Sequence, residues 1–135
     1  MSSDVVNFYT GYDEAGRLER HPVEFATTTY QLAKWLKPHA HVLDVGAGAG
    51  SYSVFCARNG HVVTAIDVVP KHIRAIESII DREPGLPLSA HLADARNLSR
   101  FCDRTFDSVL CMGPIYHLNG ESLYVALKEC LRVLK

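Results

Sequence analysis

Apolar residues along this chain follow two kinds of spacing. Short runs of consecutive apolar residues, rich in β-branched side chains, are typical of strands buried on both faces. They predict strands at residues 41–45, 61–67, 88–92 and 107–112. Longer segments repeat apolar residues every three or four positions and predict helices at 23–36, 51–59, 121–134 and from residue 70 to just before Pro84. Residues 1–20 are polar and aromatic and predict loop or short helical turns.

Strands that alternate with helices predict an α/β fold built on a parallel sheet. Right-handed crossovers place helices on both faces of such a sheet, giving a doubly wound, Rossmann-like architecture. Ligands bind at the carboxyl ends of the strands, where the strand order reverses. The residues that follow each strand are therefore the candidate functional residues.

Composition narrows the class of protein. The length of 135 residues and an apolar content of 47% suit one domain with a substantial core. A net charge of −1 gives no indication of a nucleic acid or membrane partner. No apolar run has membrane-spanning length and no signal peptide is recognisable. The four cysteines form no CxxC pair and no histidine joins them at zinc-ligand spacing, which predicts a reduced, cytoplasmic protein without a metal site.

A glycine-rich run follows the first predicted strand, with Gly46, Gly48 and Gly50 preceded by Asp44. Glycines permit a tight turn and let a ligand approach bare backbone amides. The spacing differs from the G-x-G-x-x-G fingerprint of dinucleotide-binding proteins. A carboxylate at position 44 would repel a pyrophosphate and attract an ammonium group, so the run argues against a nicotinamide dinucleotide.

An acidic residue followed by G-x-G-x-G resembles the first motif of class I S-adenosylmethionine-dependent methyltransferases. The resemblance implies that Asp44 helps to hold the ammonium group of S-adenosylmethionine. It also implies that Gly46, Ala47 and Gly48 pack against the amino acid tail and ribose of this cofactor.

Two further acidic residues follow strands. Asp67 lies about 20 residues beyond the first glycine, where an acid meets a ribose, and a carboxylate can accept hydrogen bonds from both ribose hydroxyls. Val68 or Val69 would then pack on the adenine face. The resemblance implies that Asp94 accepts from the adenine amino group and that the amide of Ala95 donates to the ring. Alternatively, Asp67 caps the helix near Pro70 and Asp94 is a loop acid or a cap.

The fourth predicted strand leads into a G-x-x-Y-H-L turn at residues 113–118. An F-D-x-V-L strand with this turn resembles the fourth motif of small bacterial methyltransferases of the same class. The resemblance implies that the backbone of Cys111, Met112 and Gly113 contacts the methionine portion of the cofactor. Tyr116 and His117 would lie near the methyl group, Tyr116 to position the acceptor and His117 as general base. The alternatives are a packing aromatic for Tyr116 and a helix cap for His117.

The resemblance extends over residues 25–135 and implies a sheet of order 3-2-1-4. Residues 23–135 are predicted to form an S-adenosylmethionine-binding domain, and residues 1–22 a lid-like segment whose tyrosine or Arg17 can reach the cofactor carboxylate. The predicted activity is transfer of a methyl group to a small-molecule acceptor. The alternatives are a non-catalytic S-adenosylmethionine-binding module and, from another class, a nicotinamide-dependent oxidoreductase.

Members of this family usually continue with further strands beyond the position of Lys135. We therefore predict either that the domain is incomplete at its C-terminal side, or that the edge of the fourth strand pairs with another chain. The apolar residues Val109 to Met112 make that edge suitable for a homodimer.

Overall fold

The computed structural model describes residues 3–135 and has a parallel sheet at its centre. The strands, in chain order, are β1 (His41–Val45), β2 (Val62–Asp67), β3 (Leu88–Leu92) and β4 (Ser108–Leu110). The helices are α1 (Ser3–Gly11), α2 (Arg17–Arg20), α3 (Pro22–Trp35), α4 (Ser51–Arg58), α5 (Pro70–Arg82) and α6 (Gly120–Val133), with a 3-10 turn at Pro114–Tyr116.

Strand β1 lies in the middle of the sheet, between β2 and β4. In the parallel register Leu43 is level with Thr64 on one side and with Val109 on the other. The order β3-β2-β1-β4 confirms the predicted fold and strand order. Because the chain changes direction across the sheet at β1, a crevice opens at the carboxyl end of this strand.

Helices cover both faces of the sheet and produce two hydrophobic cores. One core joins β1 and β2 to α4 and α5, with Val42, Cys56 and Ile76 fully buried. The other core places α6 against the opposite face, where Leu43 and Phe106 are buried beside Val133. Burial on both faces explains why Val42, Leu43 and Val45 of β1 are all apolar although they point to opposite faces of the sheet.

Two parts of the chain differ from the sequence-based prediction. Residues 3–11 form one continuous helix where loop or short helical turns were predicted, and none of the residues of this helix is buried. Its position depends on Lys71, whose Nζ donates to the carbonyl oxygens of Thr10 and Tyr12, each at 3.2 Å. Strand β4 ends at Leu110 rather than at residue 112, because the chain turns towards the 3-10 segment.

The end of α6 returns the chain to the sheet. Leu134 forms a parallel bridge with Phe106, and the amide of Lys135 donates to the Phe106 carbonyl oxygen at 2.9 Å. Within residues 3–135, no strand pairs with the outer edge of Ser108–Leu110. In the same residues, no helix combines the length and the apolar character needed to cross a membrane.

Candidate active site

The glycine run after β1 is a loop whose backbone only glycine adopts readily. Gly46, Gly48 and Gly50 have φ angles of +73°, +58° and +88°. A Cβ atom on Gly46 would lie 2.5 Å from Cδ of Pro114, and one on Gly50 would lie 2.7 Å from the Ile76 side chain. The glycines therefore provide both the turn and the close packing of neighbouring segments.

The amides of this loop bond within the protein. Those of Gly46 and Ala47 donate to the Ile66 carbonyl oxygen at 2.8 and 3.0 Å, and that of Gly48 donates to Asp67 Oδ2 at 2.9 Å. The sequence-based expectation of bare amides facing a ligand is wrong for these three positions. The loop offers a ligand a surface with little side-chain bulk, held rigidly against β2.

Asp67, the last residue of β2, is buried and fixes two segments. Its Oδ2 accepts from the Gly48 amide, and its Oδ1 accepts from the Val69 amide at 2.8 Å. Val69 is the N-cap residue of α5, and within the described part of the chain no side chain caps this helix. Asp67 therefore fixes the residue before the helix but is not the cap that the alternative interpretation predicted. Its carboxylate nevertheless lines a small cavity together with Val68.

Asp44 lies beneath the glycine loop and is only 3% exposed. Its Oδ2 accepts a hydrogen bond from the Ser53 hydroxyl at 2.6 Å. Burial raises the pKa of Asp44 to about 6, against the effect of the Ser53 hydrogen bond and with a further contribution from the charge of Asp67. A cation beside this carboxylate would favour its ionised form.

An open cleft of about 680 Å³ lies at the carboxyl ends of β1 and β4. Eight predicted site residues line it: Asp44, Gly46, Ala47, Gly48, Met112, Gly113, Tyr116 and His117. A neighbouring cavity of about 60 Å³ is lined by Asp67 and Val68, among others. It shares six residues with the cleft: Tyr9, Glu14, Gly46, Gly48, Gly113 and His117. The fold thus gathers residues that are more than 70 positions apart in the sequence.

Three predicted site residues do not line these two cavities. The carboxylate of Asp94 is paired with Arg96, whose Nη2 lies 2.7 Å from Oδ2. Ala95 is buried in the core beneath α6, and Cys111 packs against the same core, which includes Cys130. Contacts of Asp94, Ala95 and Cys111 with adenine or methionine stay predictions.

The N-terminal segment covers the cleft. Tyr9 of α1 and His117 are joined by a hydrogen bond of 2.7 Å between the phenol oxygen and Nε2. Arg17 faces the cleft but bonds Glu14 at 3.0 Å and Glu24 at 2.7 Å. A ligand carboxylate would therefore compete with two carboxylates of the protein for this guanidinium.

Several cleft residues were not identified from the sequence. Those from α3, α4 and the 3-10 turn are Glu24, Thr28, Ser51, Tyr52 and Ile115. Glu24 and Thr28 reach the cleft because α3 folds over the sheet, which no local pattern reveals. Ser51 and Tyr52 directly follow the glycine loop, and Ile115 lies within the turn at residues 113–118. His72, which lines the small cavity, could have been identified from the sequence, because it falls in the first turn of the helix that follows Asp67.

Comparisons with known proteins agree with this geometry. A family model described as a methyltransferase domain matches residues 42–135. A ubiquinone biosynthesis O-methyltransferase from Xanthomonas euvesicatoria is 30% identical over 113 residues, which cover 84% of this chain and 44% of the relative. The PH0226 protein of Pyrococcus horikoshii shares the fold with a TM-score of 0.79 and 28% identity, over 93% of this chain and 62% of that one.

A solved structure from Methanosarcina mazei, described as an S-adenosylmethionine-dependent methyltransferase, has a TM-score of 0.68 and 30% identity over 78% of this chain and 52% of its own. The chain spans about half the length of the curated relatives it matches. The family match covers β1 to α6, the part of the molecule that builds the glycine loop and the cleft. The chain belongs to the methyltransferase domain family.

Proposed function

We propose that this chain binds S-adenosylmethionine and directs its methyl group to a small-molecule acceptor. The observation that carries the proposal is the convergence of Asp44, the glycine loop and Asp67 on adjoining cavities at the strand ends. Family membership supports the same conclusion.

The charges of the cleft suit this ligand. Glu14, Glu24 and Asp44 face it with Arg17 as their basic counterpart, which leaves an excess of carboxylates. S-adenosylmethionine carries a sulfonium and an ammonium group against one carboxylate, so its net charge is complementary. The phosphates of a nicotinamide dinucleotide would meet repulsion from the same groups.

Different residues of the site would bind different parts of S-adenosylmethionine. Asp44 would hold the ammonium group, Asp67 the ribose, and the surface of Gly46 and Gly48 would let the ligand approach the backbone. Met112 and Gly113 would border the methionine portion. When bound, the ligand supplies an electrophilic methyl group, and alignment with the acceptor is the main requirement for transfer.

Tyr116 and His117 are placed to serve the acceptor. Both line the cleft, and Tyr116 is 85% exposed and free to contact an incoming molecule. Where the acceptor must lose a proton, His117 would accept it at a ring nitrogen. In the ligand-free molecule Tyr9 holds this ring through the bond to Nε2. The apolar wall formed by Leu18, Ile115 and Met112 favours an acceptor with an apolar or aromatic body.

The cavity beside Asp67 is small for an adenosine group. It holds about 60 Å³, whereas ligand pockets commonly measure about 300–1,000 Å³. Val5 and Tyr9 of α1 form part of its lining. We infer that α1 shifts away from Asp67 when the adenosine group enters.

The free thiols support a cytoplasmic location as part of the proposal. Cys56, Cys102, Cys111 and Cys130 are all unpaired, and Cys56 and Cys130 are buried. Such thiols persist in a reducing compartment.

Calorimetric titration with S-adenosylmethionine, S-adenosylhomocysteine and NAD tests the proposal. We expect saturable 1:1 binding of the first two ligands and none of NAD. Binding of NAD alone would overturn the assignment. Release of S-adenosylhomocysteine from S-adenosylmethionine, measured with a panel of phenolic, amine and thiol acceptors, distinguishes an enzyme from a module that binds without turnover.

A further inference from the structure

His72, in the first turn of α5, is a buried imidazole without a hydrogen-bond partner. Its side chain is 5% exposed, and among residues 3–135 neither Nδ1 nor Nε2 forms a hydrogen bond. Nδ1 lies 3.2 Å from Asp67 Oδ1, close enough for an ion pair but misaligned for an N–H···O bond. Buried polar groups are rarely left in this condition, so an orphaned ring that lines a cavity points to a missing ligand.

Asp67 alone has little capacity left for two ribose hydroxyls. Its Oδ1 already accepts from the Val69 amide and faces His72 Nδ1, and its Oδ2 accepts from the Gly48 amide. A carboxylate offers about four lone-pair positions. A small rotation of His72 that aligns Nδ1–H with Oδ1 would fill that oxygen and leave one position on Oδ2.

We propose that His72 is the second ribose-binding residue of this site. With Nδ1–H directed at Asp67, the neutral ring presents Nε2 as an acceptor. Nε2 of His72 then accepts from one hydroxyl of the vicinal diol, while Oδ2 of Asp67 accepts from the other. Tyr9, whose ring meets that of His72 edge-on at 5.5 Å, covers this pair in the ligand-free molecule. The inference rests on the proposed function, because it assigns the ribose of S-adenosylmethionine to the small cavity.

The test combines a change in the protein with a change in the ligand. His72→Leu removes the acceptor, and His72→Gln retains one. Each is titrated with S-adenosylhomocysteine and with its 2′-deoxy and 3′-deoxy analogues. We expect His72→Leu to bind S-adenosylhomocysteine about tenfold more weakly, the scale of one hydrogen bond, and His72→Gln to recover part of the loss. One of the deoxy analogues should bind wild type and His72→Leu equally, because the hydroxyl that His72 contacts is already absent.

The melting temperature distinguishes the proposed role of His72 from a purely structural one. Because His72→Leu removes two nitrogens that have no hydrogen-bond partner among residues 3–135, its melting temperature should be unchanged or higher. His91→Leu, on β3 and outside both cavities, is the matched control and should bind as wild type does. If the loss of either ribose hydroxyl weakens binding equally in wild type and in His72→Leu, the proposed role of His72 is overturned, whereas the proposed function is not. Failure of wild type to bind S-adenosylhomocysteine at all would overturn the proposed function as well.

Discussion

The fold changes the ionisation of the Asp44 carboxyl group, and the affinity for the ligand should depend on that ionisation. Its raised pKa of about 6 arises mainly from burial, and an ammonium group would favour the charged form. Below pH 6 the ligand must displace a proton in order to bind. We therefore expect the affinity for S-adenosylhomocysteine to be nearly constant between about pH 7 and pH 8 and to fall about tenfold by pH 5, as measured by calorimetry.

Asp44→Asn provides the control for this pH dependence. Its affinity should be weaker at neutral pH and should lack the change centred near pH 6. A folded-state pKa that is raised contributes stability at low pH that is lost as the pH rises through about 6. The ligand-free Asp44→Asn variant should therefore melt at a higher temperature than wild type at pH 8, since Asn retains an oxygen that can accept from Ser53. An unchanged pH profile in Asp44→Asn would assign the titration to another group.

The hydrogen bonds of Asp67 to the protein backbone could not be predicted from residue type and spacing. From the sequence it was either a ligand-binding acid at a strand end or a helix cap; in the structure it accepts from two buried backbone amides. Asp67→Ala would leave the amides of Gly48 and Val69 without acceptors, at roughly 1–3 kcal/mol each. We expect a clear decrease in melting temperature, and a smaller decrease for Asp67→Asn, which keeps one acceptor oxygen. A melting temperature of Asp67→Ala equal to that of wild type would contradict this role.

Among the elements, those with strong periodicity were predicted most accurately from the sequence. The bounds of β1 and β3 were predicted as the structure has them. For β1 the reason is a short run of buried residues bounded by turns. Strand β3 is an edge strand in which only Leu88 is buried. The glycine loop and Asp67 followed from these strands. Their partners in α1 and α3 did not, since tertiary packing alone brings Tyr9, Glu24 and Thr28 to the cleft.

The composition of α1 explains why a continuous helix was not predicted in the N-terminal lid-like segment. Its sequence contains Asn, Thr, Tyr and a terminal Gly, which are modest helix formers, and no residue of the helix is buried. Because the helix buries no residue, its apolar side chains need not follow a helical spacing. Contacts with Lys71 and His117 hold it, both of them far away in the sequence.

A lid held by so few contacts should be released by one substitution. Lys71→Ala removes both hydrogen bonds to the carbonyl oxygens of Thr10 and Tyr12. If α1 moves before the adenosine group enters, as we propose, S-adenosylhomocysteine should associate roughly two- to fivefold faster, the effect of about 0.5–1 kcal/mol from exposed hydrogen bonds. Stopped-flow fluorescence measures this rate.

Arg74→Ala is the matched control for the lid, because it also removes an exposed basic side chain from α5. Its association rate should equal that of wild type. Hydrogen exchange should also show faster exchange of residues 3–11 in Lys71→Ala alone. An association rate that Lys71→Ala leaves unchanged would mean that α1 does not limit access to the cavity.

For the whole molecule, the two edges of the sheet differ in character. The β3 edge strand is Leu-Ser-Ala-His-Leu, whereas the shorter β4 edge strand is Ser-Val-Leu. Helix α6 packs on the sheet face that contains Val109 and presents an exposed apolar stripe at positions i, i+3 and i+7, formed by Tyr124, Leu127 and Leu131. An open strand next to exposed apolar surface is a site for association with another chain.

We therefore expect the 135-residue chain to self-associate through β4 and α6. Sedimentation equilibrium should give a mass that rises with concentration from 15.0 kDa towards twice that value. Leu131→Glu places a charge on the stripe at a side chain that is 68% exposed, so it should keep the protein monomeric without lowering its melting temperature. Val23→Glu on α3, at a position 77% exposed on the other side of the sheet, should associate as wild type does. A wild-type chain that remains monomeric at all concentrations would show that the unpaired backbone groups of β4 are satisfied by water alone.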